Sequence, residues 1–142
     1  MREAARPRFP GQVGIESHPA ATFSCGVFNF ERLEVWQKAV AFAGLVYGRT
    51  RAFPAEERFG LTIQLRRAAT SVASNIAEGS SRSPGDFAKF LGYASGSLYE
   101  VVTQMKIAHH EDFLAKADYD HMYGQAEEIS RMLSGLRKSL RP

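Results

Sequence analysis

The fold is decided by residues 83–108, which read SPGDFAKFLGYASGSLYEVVTQMKIA. The apolar positions in this stretch, four and three residues apart in turn, are Phe87, Leu91, Ala94, Leu98, Val101, Met105 and Ala108. This spacing places the whole set on one face of a helix that packs against a partner. At the start of the stretch, Ser83 is suited to cap the helix, Pro84 to occupy its first position and Asp86 to complete a capping box.

Three further stretches show the same spacing. Their positions are Leu33, Trp36, Val40, Ala43 and Tyr47; then Leu61, Leu65, Ala68, Val72 and Ile76; and finally Tyr119, Met122, Ala126, Ile129, Leu133, Leu136 and Leu140. We expect Asn29 to cap the first helix and the second helix to begin after Pro54. No segment alternates as a half-buried strand does. The sequence therefore predicts an all-α, antiparallel up-down-up-down four-helix bundle.

Two rows of small residues predict where two helices approach most closely. The rows are Ala69, Ala73 and Ala77 in the second helix and Ala88, Gly92 and Gly96 in the third. Because each row repeats every fourth residue, its members share one helix face. We expect the two rows to face each other in the central hairpin, and Gly92→Leu to be strongly destabilising.

Residues 1–28 differ in character from the rest of the chain, because proline and glycine recur there every few residues and interrupt any regular period. We expect residues 1–28 to be a disordered N-terminal extension and residues 29–142 to form the bundle domain. An alternative interpretation makes the extension a short basic arm that helps to hold RNA. It contains no uninterrupted apolar stretch of the kind that a secretory signal needs.

The composition excludes several classes of protein. A chain of 142 residues with 44% hydrophobic and 23% charged residues can bury a core, which excludes a wholly disordered protein. No apolar run is long enough to span a membrane. The single cysteine, Cys25, favours a reducing compartment, and we expect the protein to be cytoplasmic. A net charge of +3 permits a nucleic-acid partner without requiring one.

A row of polar residues lies beside the apolar stripe of the second helix. It consists of Gln64, Arg67, Ser71, Asn75, Glu78 and Arg82, and the facing candidates on the third helix are Ser97, Glu100 and Gln104. One interpretation is a buried or subunit-facing hydrogen-bond network, in which Arg67 and Glu100 are ion partners. The other is a site for phosphate or a nucleotide, held by the bidentate guanidinium of Arg66 or Arg67.

Three segments carry a family resemblance. They are residues 30–39 (FERLEVWQKA); the runs QLRRAATS (64–71) and NIAEG (75–79); and a third segment with Phe90-Leu91, Ala94, Gly96-Ser97-Leu98 and Glu100. Over about residues 29–140, the chain resembles the 23S rRNA intervening-sequence proteins, also called four helix bundle proteins. The resemblance implies an antiparallel bundle that assembles as a homopentamer, with no catalytic residues to carry over. Ala73 stands where the family often has proline.

The leading functional hypothesis is a protein that binds nucleic acid (RNA or DNA) or a ribonucleoprotein partner. Nucleic-acid binding is favoured by analogy with related bundles that accompany reverse transcriptases. The candidate phosphate contacts are Arg66, Arg67 and Arg82, with Arg131, Arg137, Lys138 and Arg141 near the C-terminus. Repetition of the C-terminal cluster in a ring would enlarge its positive surface. Placement of these cations at the negative end of the last helix is an alternative reason for the cluster. The alternative function is a structural protein–protein interaction module without a nucleic-acid role.

No residue pattern indicates a metal, a cofactor or catalysis. His109 and His110 are adjacent, so that on a helix they point about 100° apart and cannot both face one ion. Paired Glu-x-x-His motifs, which a di-iron bundle needs, do not occur. Ser71 has no histidine near it in sequence, and Cys25 lies in the N-terminal extension. We therefore expect a non-enzymatic protein with no metal site and no cofactor.

Overall fold

A computed structural model of the chain describes residues 26–140. These residues form four α-helices and two short 3-10 helices, and they contain no strand. The α-helices are α1 (Glu34–Thr50), α2 (Leu61–Ser80), α3 (Pro84–His110) and α4 (Lys116–Ser139). The prediction of an all-α four-helix fold is confirmed. The expectation of disorder concerns residues 1–28, most of which lie outside the described residues. None of the described helices has the length and apolarity that a membrane span needs.

The four helices stand at the corners of a square, because each contacts its two neighbours and, within residues 26–140, the diagonal pairs do not pack together. On the seam between α2 and α3, Ser71 lies opposite Ser97 and Gln64 lies opposite Gln104, so these helices run in opposite directions. The seam between α1 and α4 shows the same antiparallel order in the ion pairs Lys38–Glu128 and Arg49–Asp118.

The stripes that the spacing predicts for α2, α3 and α4 lie in the core. The buried members are Leu65, Ala68, Val72 and Ile76 in α2; Leu91, Ala94, Leu98, Val101, Met105 and Ala108 in α3; and Met122, Ala126, Ile129 and Leu133 in α4. The members at the ends of the stripes are half-buried because fewer neighbours surround them; they are Leu61, Phe87, Tyr119, Leu136 and Leu140. Each stripe is the principal apolar face of its helix, which is why the period identifies it correctly.

On α1 the predicted stripe is wrong. The residues that it buries are Val35, Ala39, Phe42, Val46 and Thr50. Of the predicted stripe, Val40 is 44% exposed and Tyr47 41% exposed, and Trp36 is only half-buried. The reason is that α1 carries apolar residues on two faces, each with the helical period, and packing selects one of them. The second apolar face of α1, which contains Val40 and Tyr47, is exposed to solvent.

The predicted beginnings of two helices are also corrected, whereas the third is confirmed. Asn29 begins a 3-10 helix (Asn29–Arg32) instead of capping α1, which starts at Glu34. After Pro54 comes the 3-10 helix Ala55–Glu57, and the Glu57 carboxylate accepts a hydrogen bond from the Leu61 amide of α2 at 3.0 Å. Ser83 caps α3 as expected, since its hydroxyl accepts from the Asp86 amide at 3.3 Å.

The predicted close crossing of the small-residue rows is wrong. A Cβ atom added at Gly92 would lie 3.4 Å from the guanidinium of Arg137 on α4, and one added at Gly96 would meet nothing within 4 Å. The close approach of α2 and α3 occurs instead at Gly79, where an added Cβ would lie 2.5 Å from Phe90 Cβ. Gly79 therefore allows the ends of the two helices to meet.

Candidate functional site

A polar cleft runs along the seam between α2 and α3. At the end of the cleft nearer the α2–α3 turn, the hydroxyls of Ser71 and Ser97 are 3.0 Å apart and share a hydrogen bond. Asn75 extends this bridge, because its Nδ2 donates to the Ser71 carbonyl at 2.9 Å and to the Ser71 hydroxyl at 3.0 Å. The predicted network therefore does bring these three residues together.

A second cross-helix bridge lies at the other end of the cleft, near the start of α2 and the end of α3. Gln104 Nε2 donates to Gln64 Oε1 over 3.5 Å, the upper limit for a hydrogen bond. The other amide atom, Gln104 Oε1, is buried and has no hydrogen-bond partner. A buried amide oxygen without a partner costs free energy, and it marks this end of the cleft as incompletely satisfied.

Arg67 and Glu100 line the middle of the cleft, together with the small buried side chain of Ala68. The cavity has a volume of about 340 Å³. The ion pairs formed by residues 26–140 do not include one between Arg67 and Glu100, so the predicted pairing is wrong. Both side chains are exposed, which means that each charge is solvated rather than neutralised by the other. Arginine and a carboxylate can therefore both receive a ligand here.

Arg66 points away from this cleft, although it follows Arg67 in the sequence. Its Nε donates to the buried Thr50 hydroxyl at 2.9 Å, and its guanidinium lies 4.6 Å from the centre of the Tyr47 ring. Consecutive residues on a helix point about 100° apart, which explains the separation. Arg66 thus joins α2 to α1, and the phosphate role predicted for it remains a hypothesis.

Glu78 and Arg82 lie beyond the cleft, at the turn between α2 and α3. Arg82 pairs with Glu78 at 3.3 Å, and its guanidinium lies 4.8 Å from the centre of the Phe90 ring. Across α3, the guanidinium of Arg137 lies against Gly92. Two of the predicted cations therefore flank the first half of α3, one on each side.

Cations and one aromatic ring form a basic surface at this end of the bundle. We define it as Arg82, Lys89, Tyr93, Arg131, Arg137 and Lys138, all of which are exposed. Arg131 is within 3.8 Å of Glu127, and Arg141 lies outside the described residues. The sequence analysis missed Lys89 and Tyr93. Their spacing of four residues places both on one face of α3, but only the folded bundle shows that Arg82 and Arg137 lie on either side of that face.

Two apolar grooves lie on opposite faces of the square. One, of about 350 Å³ between α1 and α2, contains the exposed side of the α1 stripe and is lined by Phe30, Trp36, Val40, Ala43, Thr70, Ala73, Ser74 and Ala77. The other, also about 350 Å³, lies between α3 and α4 and is lined by Leu98, Tyr99, Val102, Thr103, Tyr123, Ala126, Glu127 and Ser130. Exposed apolar surface of this kind makes each groove a candidate interaction face.

The family model described as 23S rRNA-intervening sequence protein matches residues 31–135. The chain belongs to this family. No curated protein matches the chain significantly. Among solved structures, the chain is similar to a protein with unknown function from the S23 ribosomal protein family of Bacteroides thetaiotaomicron VPI-5482. The two are 22% identical, the alignment covers 73% of this chain and 98% of the other, and the TM-score is 0.66, which shows the shared fold.

The family match divides the candidate residues of this intervening-sequence protein into two groups. Both bridges of the polar cleft, Arg67 and Glu100 all lie within residues 31–135, as do Arg82, Lys89 and Arg131. Arg137 and Lys138 lie beyond the matched region. The whole cleft therefore lies in the region that the family model matches, whereas the basic surface lies only partly in it.

The histidines at the end of α3 have a structural explanation in this intervening-sequence protein. His109 Nδ1 is 2.9 Å from the Leu114 carbonyl oxygen, and its ring stacks on Tyr119 with centroids 5.3 Å apart. His110 is exposed and lies beside Glu111. Within residues 26–140, no three potential metal-ligating side chains of His, Cys, Asp or Glu form a group. His109 closes the turn after α3 instead.

Proposed function

We propose that this protein is a non-enzymatic, oligomeric bundle that binds RNA through its basic surface. The supporting observation is that Arg82 and Arg137 flank the outer face of α3, which carries Lys89 and Tyr93 between them. Exposed cations on neighbouring elements can follow a phosphate backbone, and an exposed tyrosine offers a plane on which an unpaired base can stack. The family description, which refers to 23S rRNA, agrees with an RNA partner.

Oligomerisation supplies the charge that one copy lacks. A single chain has a net charge of only +3, and two cations of the basic surface are already paired with carboxylates. Repetition of the basic surface around an assembly brings several phosphate contacts within reach of one RNA, which raises the apparent affinity by avidity. We place this assembly in the cytoplasm, where a chain with a single cysteine stays reduced.

The two apolar grooves support this self-association. They lie on different, opposite faces, so one copy can present its α1–α2 groove to the α3–α4 groove of the next. An interface between two different faces is heterologous, and repeated heterologous contacts close a ring when the rotation between copies permits it. The family resemblance makes five the expected number. The polar cleft, which lies between α2 and α3, is not used in this contact.

The experiment is a salt series of RNA binding by the assembled protein. Several phosphate contacts predict a loss of affinity of on the order of a thousandfold between about 50 and 200 mM salt. The double variant Arg137→Glu/Lys138→Glu should weaken binding more than tenfold while the assembly stays intact. The matched control is Arg51→Glu/Arg58→Glu, which reverses two exposed charges at the opposite end of the bundle. Equal effects of the two pairs would contradict the basic surface.

A structural interaction module without nucleic acid is the second candidate function, because the exposed α1 stripe supports self-association on its own. In that case the assembled protein would bind no RNA even at about 50 mM salt, where phosphate contacts are strongest. The same measurement therefore decides between the two candidates. Only the first predicts that charge reversal at Arg137 and Lys138 matters.

A further inference from the structure

We propose that the polar cleft between α2 and α3 is a recognition site for one guanine base. The proposal deepens the RNA-binding function proposed above and rests on it. Its essential feature is a guanidinium and a carboxylate, from Arg67 and Glu100, that line the same cavity from two helices without pairing. Such a pair suits a ligand that presents hydrogen-bond acceptors to the guanidinium and hydrogen-bond donors to the carboxylate.

The cleft is open to solvent along its side and bounded by a cross-helix bridge at each end. The Ser71–Ser97 bridge closes one end and the Gln64–Gln104 bridge the other. The two bridges are separated by two helical turns, or about 10 Å of rise. Between them Ala68 forms the floor, and its small side chain leaves the space that a longer residue would fill. A volume of about 340 Å³ accommodates one base but not a double helix.

The hydrogen-bonding groups of the cleft fit guanine better than the other bases. Guanine presents O6 and N7 as a pair of acceptors, which an arginine contacts bidentately. Its N1–H and N2–H groups are adjacent donors, which both oxygens of the Glu100 carboxylate can accept. Adenine, cytosine and uracil lack this pair of adjacent donors next to an acceptor pair, so they leave one wall of the cleft unsatisfied.

The unpartnered amide oxygen of Gln104 is the second observation that points to a ligand. Exchanging the oxygen and nitrogen of both glutamine amides would leave Gln104 Nε2 without a partner instead, so an unsatisfied atom remains in either assignment. Gln64 is exposed and holds Gln104 only through the 3.5 Å bond. A base that displaces Gln64 can supply the missing partner.

An accessible base is required, because the donors of guanine are occupied when it is paired. The ligand is therefore guanine in an unpaired stretch of RNA or in a free nucleotide, which share the same base edges. Arg82 and Lys89 of the basic surface lie at the end of the α2–α3 seam, and these cations can hold the phosphates of the neighbouring nucleotides. In this arrangement the basic surface supplies affinity and the cleft supplies base preference.

The first test is isothermal titration of the assembled protein with GMP, IMP, AMP and CMP. We expect GMP to bind at least tenfold more tightly than IMP, which lacks the 2-amino group, and more tightly still than AMP and CMP. In Glu100→Gln the preference for GMP over IMP should fall to about twofold or less. The glutamine amide has only one oxygen, so it cannot accept from both N1–H and N2–H of guanine. Arg67→Met should weaken GMP and IMP alike. The matched control is Glu56→Gln in the 3-10 helix Ala55–Glu57, an exposed carboxylate outside the cleft, the grooves and the basic surface, which should bind as the unchanged protein does.

The second test uses single-stranded RNA with one guanine and the same RNA with inosine or adenine in its place. Preference for the guanine RNA over GMP itself assigns the site to RNA, and equal binding of both assigns it to the free nucleotide; both results support the cleft. Equal affinity for GMP and AMP, or an unchanged preference in Glu100→Gln, would overturn the proposal. So would disassembly of the oligomer by Glu100→Gln or Arg67→Met, since the cleft would then be a subunit contact. If the protein shows no base preference but still binds RNA in a salt-dependent way, the cleft proposal is wrong and the RNA-binding role of the basic surface is retained.

Discussion

Gly79 on α2 lies directly against Phe90 on α3, so that a Cβ atom at position 79 would stand 2.5 Å from Phe90 Cβ and 2.9 Å from Phe87 Cδ2. This contact brings the end of α2 against the start of α3. It lies on the same α2–α3 seam as the polar cleft, in the same antiparallel register that places Ser71 opposite Ser97. A side chain at position 79 would therefore disturb the seam that carries the cleft.

Gly79→Ala is expected to destabilise the fold by about 1–3 kcal/mol, because the methyl group overlaps Phe90 and the helices must separate. The control is Gly96→Ala, where an added Cβ meets nothing within 4 Å. That change should be neutral or stabilising by up to about 1 kcal/mol, since alanine favours the helix. Urea unfolding of both variants measures the difference. An unchanged midpoint for Gly79→Ala would show that the two helices can part at no cost.

The sequence predicted the fold well where a helix is apolar on one side only. The stripes of α3 and α4 match the buried residues because each is the principal apolar face of its helix. The stripe of α1 does not, because Trp36 and Val40 have the same period as the buried Val35 and Ala39. Spacing identifies the faces of a helix, but the neighbouring helices decide which of two apolar faces is buried.

The candidate site was predicted only in part, for a related reason. The polar row on α2 could be read from spacing, because its members share one face of one helix. Their partners on α3 depend on the relative height of two helices, which local sequence does not encode. Arg67 and Glu100 were proposed as partners only because they lie in facing polar rows, and the spacing could not foresee that they do not pair. Lys89 was missed because it joins the arginines only in the assembled bundle.

Val40→Arg is expected to dissociate the oligomer, because it places a charge in the exposed apolar stripe of α1 that we assign to self-association. Val40 is 44% exposed in the single chain, so the change should leave the bundle itself folded. Ile107→Arg is the matched control, since Ile107 is 48% exposed on the outer face of α3. Light scattering should show a smaller mass for Val40→Arg alone. Identical masses for both variants would place the interface elsewhere.

Thr50→Val is expected to destabilise the fold by about 1 kcal/mol, because Arg66 Nε then loses the buried hydroxyl that it binds at 2.9 Å. Val replaces Thr with little change of shape, so packing is largely kept. A double-mutant cycle with Arg66→Met isolates this hydrogen bond. We expect a coupling energy of about 0.5–1.5 kcal/mol from urea unfolding. Additive effects of the two substitutions would mean that Arg66 is held by the Tyr47 ring instead.

Lys38 gives the fold a pH dependence in alkaline solution. Its hydrogen bond to Glu128, at 2.8 Å, is the main cause that raises the pKa of Lys38 above its ordinary value of 10.5; attraction to Glu128 and Glu34 also raises it, and burial opposes them. Because folding raises this pKa, the stabilisation is fully present below pH 10.5 and is lost as the pH rises through the higher folded value.

Lys38→Met should therefore be less stable than the unchanged protein at about pH 8 by up to about 1 kcal/mol, since the pair is partly exposed. The difference should shrink as the pH rises above 10.5, because the deprotonated lysine no longer attracts Glu128. Lys89→Met is the control, because it removes the same charge from an exposed position on α3. Urea unfolding at several pH values measures both differences. A stability difference for Lys38→Met that stays constant with pH would show that the lysine acts through its alkyl chain rather than its charge.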